Sequence, residues 1–116
     1  MGRRSLMLVE DEAVVALEME DVLASAGYEI ATCAASVPDA LQALRECRPD
    51  AAVLDVKLRG EYVFPVADEL QAAAIPFLFV TGERREILPP QHRASPLLPK
   101  PCQSHVLVRA IARLFA

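Results

Sequence analysis

The sequence predicts an α/β protein, a doubly wound (βα)5 three-layer sandwich built on one five-stranded parallel sheet. Five short apolar runs recur at fairly even spacing: Leu6–Val9, Tyr28–Ala34, Ala51–Leu54, Phe77–Val80 and Pro96–Leu98. The third and fourth are continuously apolar rather than alternating, as central strands covered on both faces require. Segments of helical period separate the runs, and strand–helix alternation with right-handed crossovers builds a sandwich.

The elements follow in order. From Glu12, the residues Val15, Met19, Val22 and Ala26 keep an i, i+3, i+4 rhythm. Gly27 then stands where a helix end favours a residue free to take positive φ. Ser36 and Asp39 form an N-cap arrangement ahead of a face made by Val37, Ala40, Leu41 and Leu44. Pro49 stops that helix. Pro65 suits a first helical turn, which places a third helix from about there to Ala73. Leu107, Ala110, Ile111 and Leu114 form one apolar stripe on a terminal helix. Between Glu83 and Ser95 the rhythm fails, and Pro89–Pro90 would break a helix placed across them. A fourth helix is therefore expected to be short or irregular, near Arg84–Leu88. The whole stretch is expected to be weakly held and mobile.

Length and composition narrow the function classes. A chain of 116 residues makes about one domain, so residues 1–116 are read as a single unit without an output domain. With 53% hydrophobic residues, extended disorder is excluded. No apolar run approaches the roughly 20 residues that span a bilayer, and acids interrupt the first apolar stretch too soon for a signal peptide. A cytoplasmic location without membrane contact is expected. The net charge of −4 and the lack of a basic stripe disfavour nucleic-acid binding. Cys33, Cys47 and Cys102 are odd in number and form no CxxC pair, so they are read as small core or near-surface residues.

Chemistry is expected where an open parallel sheet places its crevice, at the carboxyl ends of the strands. The first run ends in Glu10 and Asp11, the third in Asp55, the fourth in Thr81–Gly82 and the fifth in Lys100–Pro101. Three carboxylates, a hydroxyl and an ammonium thus share one edge. Unpaired carboxylates in a crevice repel one another, and a bound Mg²⁺ (or Mn²⁺) would neutralise them with hard oxygen ligands. His92 and His105 fall outside the strand ends and are read as solvated surface residues.

The strings LMLVEDE, AAVLDVKLRG, PFLFVTG and LLPKP resemble the motif segments of bacterial response-regulator receiver domains. The likeness spans essentially the whole chain. Together with the preceding LRGEYVFPVADEL, the FLFVTG string resembles a short receiver subgroup carrying Phe-x-Thr-Gly at the fourth strand. The resemblance implies that Asp55 is the phosphoryl acceptor, taking the group from a sensor histidine kinase or phosphotransfer protein. It implies that Asp11 binds the metal directly, Glu10 through water, and Asp55 and the Lys57 backbone carbonyl complete the ligands. Thr81 and Lys100 would contact phosphoryl oxygens, and the Lys100–Pro101 bond is expected to be cis. The chemistry agrees, because phosphoryl transfer needs positioning and charge neutralisation more than covalent activation. Leu97 departs from the pattern, since many receivers carry Tyr or Phe three residues before the lysine. Its place puts the usual rotamer switch in doubt.

Two other readings compete. A haloacid-dehalogenase type of phosphatase would carry a general acid two residues after the nucleophile, where this chain has Lys57. A receiver-like module working by contact alone would not need all five chemical positions. The expected assignment is a stand-alone response regulator, not an enzyme acting on other substrates. It would signal to a downstream protein as a monomer or a weak phosphorylation-dependent dimer.

Overall fold

The computed structural model describes residues 2–116. The chain runs β1 (Ser5–Val9), α1 (Ala13–Ser25), β2 (Glu29–Ala34), α2 (Val37–Glu46), β3 (Ala51–Leu54), β4 (Lys57–Leu58), β5 (Glu61–Tyr62), α3 (Phe64–Ala72), β6 (Phe77–Thr81), β7 (Leu97–Pro99) and α4 (Ser104–Leu114). Five strands form the sheet in the order β2-β1-β3-β6-β7, all pairs parallel. The short strands β4 and β5 pair antiparallel in a separate hairpin.

Side chains of a strand alternate between its faces, so each central strand feeds two cores. Met7 and Val9 of β1 join Leu54 and Phe79 under α2 and α3. Their neighbours Leu6 and Leu8 join Val53, Leu78 and Val80 under α1 and α4. This double burial is why β3 reads AAVL without a polar residue. The edge strand β2 instead alternates exposed with partly buried positions until Ala34. Pro99, which offers no N–H, lies on the other edge strand, where its missing donor costs least.

Two helix ends close by the same device. The Tyr28 N–H reaches the Leu23 carbonyl and the Gly27 N–H the Ala24 carbonyl, with Gly27 at φ +98°. After α3 the Ile75 N–H reaches Leu70 and the Ala74 N–H reaches Gln71, with Ala74 at φ +57°. Both are Schellman ends, the second made by a residue whose Cβ resists that conformation. At the start of α2, Ser36 Oγ accepts from the Asp39 N–H at 3.2 Å.

Several expectations are corrected. The buried stripe of α1 rests on Met19 and Leu23. Ala26 is the C-cap and exposed, because the helix ends one residue before it. The fourth helix is short and irregular as expected, with two 3₁₀ turns, Arg85–Ile87 and Pro90–His92, between β6 and β7. The segment is not loosely held, however. Leu88 is buried in the core, and the Arg85 guanidinium donates to the carbonyls of Arg93 and Ser95 at 2.9 Å each. The Arg93 side chain donates to the Leu88 carbonyl at 3.1 Å, so side chains supply the donors a helical backbone would have used.

His92 is the largest departure. Expected at the surface, it is fully buried, packed against the rings of Phe64, Phe77 and Phe79. Its Nε2 lies 2.7 Å from Asp68 Oδ1 on α3, and its Nδ1 has no partner. The second 3₁₀ turn carries the ring inward, and its flat apolar faces fill the space among the phenylalanines. His105 is exposed as expected.

Candidate functional site

The charged residues of the site lie just past the ends of sheet strands, so the sheet sets their position. Glu10 and Asp11 follow β1, Asp55 follows β3, and Lys100 follows β7. Thr81 is the last residue of β6 and is 1% exposed. Adjacent parallel strands bring these ends together, and one oxygen from each of Glu10, Asp11 and Asp55 lies within 4.8 Å of the others. The five expected chemical positions converge.

Lys100 binds the cluster together. Its Nζ donates to Glu10 Oε1 at 2.6 Å and to Asp55 Oδ2 at 2.8 Å, with Glu12 Oε1 farther off at 3.9 Å. The other Asp55 oxygen accepts from the Val56 N–H at 2.7 Å, and Glu10 Oε2 accepts from the Glu12 N–H at 3.0 Å. Thr81 Oγ1 accepts from the Glu83 N–H at 3.1 Å. The Lys100 N–H donates to the Thr81 carbonyl at 3.0 Å, tying hydroxyl and ammonium to one backbone ladder.

Burial and partners set the electrostatics. Burial pushes the Glu10 carboxyl above its ordinary value of 4.5, and hydrogen bonds from Lys100 and the Glu12 N–H only partly offset that. Burial would lower the Lys100 ammonium, but hydrogen bonds to Asp55 and Glu10 prevail and raise it above 10.5. The two directions are compatible: the cluster holds more carboxylates than one ammonium can satisfy. Asp11 differs, because the Arg59 N–H donates to its Oδ2 at 2.9 Å and holds its carboxyl below 3.8.

The donor set fits a hard divalent cation. Three carboxylates face one ammonium, leaving excess negative charge beside hard oxygen ligands, the environment that Mg²⁺ satisfies. Lys57, two residues past Asp55, is exposed, with its ammonium 5.8 Å from the Tyr62 ring centroid. The Lys100–Pro101 peptide is cis. Leu97 is half-buried against the core. Cys33, Cys47 and Cys102 are free thiols, and Cys33 donates to Glu20 Oε2 at 3.3 Å.

The sequence does not mark the four backbone donors of the site, the N–H groups of Glu12, Val56, Arg59 and Glu83, because no residue type advertises a backbone N–H. Gly60 is the one sequence signal of a tight turn there.

The arrangement has a counterpart among known proteins. The response regulator receiver domain pattern matches residues 6–112. The chain belongs to the response regulator receiver family. This receiver is 35% identical to the transcriptional regulatory protein AfsQ1 of Streptomyces coelicolor over 94% of its own length and 51% of that protein. It is 31% identical to the chemotaxis protein CheY of Thermotoga maritima over 58 residues, 50% of this chain and 48% of that protein. The matches thus span about half the length of these curated relatives. The PhyR response regulator REC domain of Erythrobacter litoralis superposes with a TM-score of 0.87 at 26% identity, covering 99% of this receiver and 92% of that chain. SdrG from Sphingomonas melonis superposes with a TM-score of 0.85 at 35% identity, covering 98% of both chains. Among the described residues, no helix of the receiver is long and apolar enough to cross a membrane.

Proposed function

We propose that this receiver accepts a phosphoryl group on Asp55 from a phosphohistidine of a sensor kinase or phosphotransfer protein, and then signals by contact with a downstream protein. The observation that carries the reading is Lys100 Nζ, 2.8 Å from Asp55 and 2.6 Å from Glu10. An ammonium held there can follow the acceptor from its free to its phosphorylated form.

In this reading Asp11, Asp55, the Lys57 carbonyl and Glu10 would hold Mg²⁺. When bound, the cation neutralises charge on the phosphoryl oxygens. An Asp55 carboxylate oxygen forms the new P–O bond as the phosphorus–imidazole bond breaks, so the product is an acyl phosphate. Lys100 then passes from the carboxylate to a phosphoryl oxygen. The Thr81 hydroxyl donates its proton to another oxygen while its own oxygen still accepts from the Glu83 N–H. No general base is required, since a carboxylate has no proton to give up. Lys57 stands where a phosphatase acting on other substrates would need an acid, so reaction beyond slow self-dephosphorylation is not expected. Val14 and Leu17 are 68% and 64% exposed on α1, an apolar landing place for the donor protein.

Intact-mass measurement after incubation with acetyl phosphate and MgCl₂ tests the reading. One phosphoryl group should be added, and Asp55→Asn should take none. Equal labelling of the Asn variant would remove Asp55 from its role. Asp11→Ala should weaken Mg²⁺ binding by at least about tenfold, or about 1.4 kcal/mol.

A further inference from the structure

We propose that the β4–β5 hairpin is a positioning element for the metal-binding carboxylate of Asp11, acting through the backbone N–H of Arg59. The inference rests on the metal reading given above and adds a residue to it.

Lys57 pairs with Tyr62 and Leu58 with Glu61, leaving Arg59 and Gly60 as a two-residue turn. Their φ angles are +48° and +84°, both positive, as a type I′ turn requires. Gly60 meets that demand freely. Arg59 does not, because a Cβ in the left-handed region crowds the following carbonyl. A residue held in such a region needs a reason in its surroundings, and these regions gather at functional sites.

The surroundings supply one. The Arg59 N–H donates to Asp11 Oδ2 at 2.9 Å across 48 residues of sequence. The hairpin's base cannot drift, since Val56, Leu58 and Val63 are buried and the Val63 N–H donates to the Val56 carbonyl at 2.8 Å. Asp11 itself sits in the short loop between β1 and α1, outside the core. A side chain there would sample several rotamers. Anchoring one oxygen on a rigid donor fixes the plane of the carboxylate before the cation arrives, so less freedom is lost on binding. The Arg59 guanidinium is exposed and takes no part.

Mg²⁺ titration of the full chain, followed by amide chemical shifts, tests this. Gly60→Val places a β-branched residue at φ +84° and should raise the Mg²⁺ Kd about fivefold to tenfold, at most about 1.4 kcal/mol. Gly60→Asn, which tolerates positive φ, should recover most of the loss. Arg59→Pro removes the donor and, because its ring forbids φ +48°, the turn as well, and should weaken binding at least as much as Gly60→Val. Arg59→Gly keeps the N–H and should bind at least as tightly as the parent. A parent-like Kd in Arg59→Pro, with the sheet amides in place, would overturn the hairpin's role. So would an equal loss in Arg59→Gly, which would assign the effect to the guanidinium. A parent chain with no saturable Mg²⁺ response would overturn the metal reading itself, a different outcome from either.

Discussion

Lys100 and Asp55, 45 residues apart in sequence, meet at 2.8 Å through Nζ and Oδ2. The contact exists because β3 and β7 both end at the same edge of the sheet, with β6 between them. Lys100 thereby satisfies two buried carboxylates, Asp55 and Glu10, that would otherwise repel each other.

Removing that ammonium should expose the repulsion. Lys100→Ala leaves two carboxylates without their partner and should cost about 2–3 kcal/mol in EDTA, measured by urea unfolding. Excess MgCl₂ should return most of the loss and bind more tightly than to the parent, because one positive charge no longer competes. Loss of Mg²⁺ binding in this variant would mean that Lys100 shapes the site rather than balancing its charge.

The raised Glu10 gives the metal-free protein a particular pH dependence. Between 4.5 and its higher folded value, the native state holds a proton that the unfolded chain has lost. Stability from this group therefore falls as pH rises through that window. Mg²⁺ favours the ionised carboxylate and should flatten the fall. Unfolding free energies measured across pH 4–7, with and without Mg²⁺, check this. A fall of the same size in both series would place the raised carboxyl elsewhere.

His92 should be a structural residue whose polarity is costly once its partner is lost. Asp68→Ala strands the buried Nε2 beside an Nδ1 already without a partner, and should cost about 1–2 kcal/mol. His92→Ala opens a cavity among three phenylalanines and should cost about 3 kcal/mol. Adding His92→Leu to Asp68→Ala should restore stability, since an apolar side chain needs no partner. Equal stability of Asp68→Ala and the parent would show that the His92–Asp68 hydrogen bond contributes nothing.

Ala74 offers a gain. Its φ of +57° closes α3 with a residue that resists the left-handed region, and it is exposed. Ala74→Gly should stabilise by about 1 kcal/mol, seen as a higher urea midpoint with an unchanged slope. A lower midpoint would mean that the glycine's freedom in the unfolded chain outweighs the relief.

Residue pattern alone was enough to set the sheet and the chemical edge. Continuous apolar runs such as AAVL and FLFV can be satisfied only by burial on both faces, and a parallel sheet must deliver Glu10, Asp55, Thr81 and Lys100 to one side. Ser36 and Gly27 announced helix ends because capping is local chemistry. The tertiary structure decided what depends on partners distant in the chain. His92 went inside because Phe64 and Asp68 of α3 and Phe77 and Phe79 of β6 came together to receive it. Arg85 and Arg93 held an irregular segment by donating to carbonyls that no periodicity marks. The hairpin tip reached Asp11 through a backbone N–H, a group every residue but proline carries, so its use is visible only once the chain has folded back on itself.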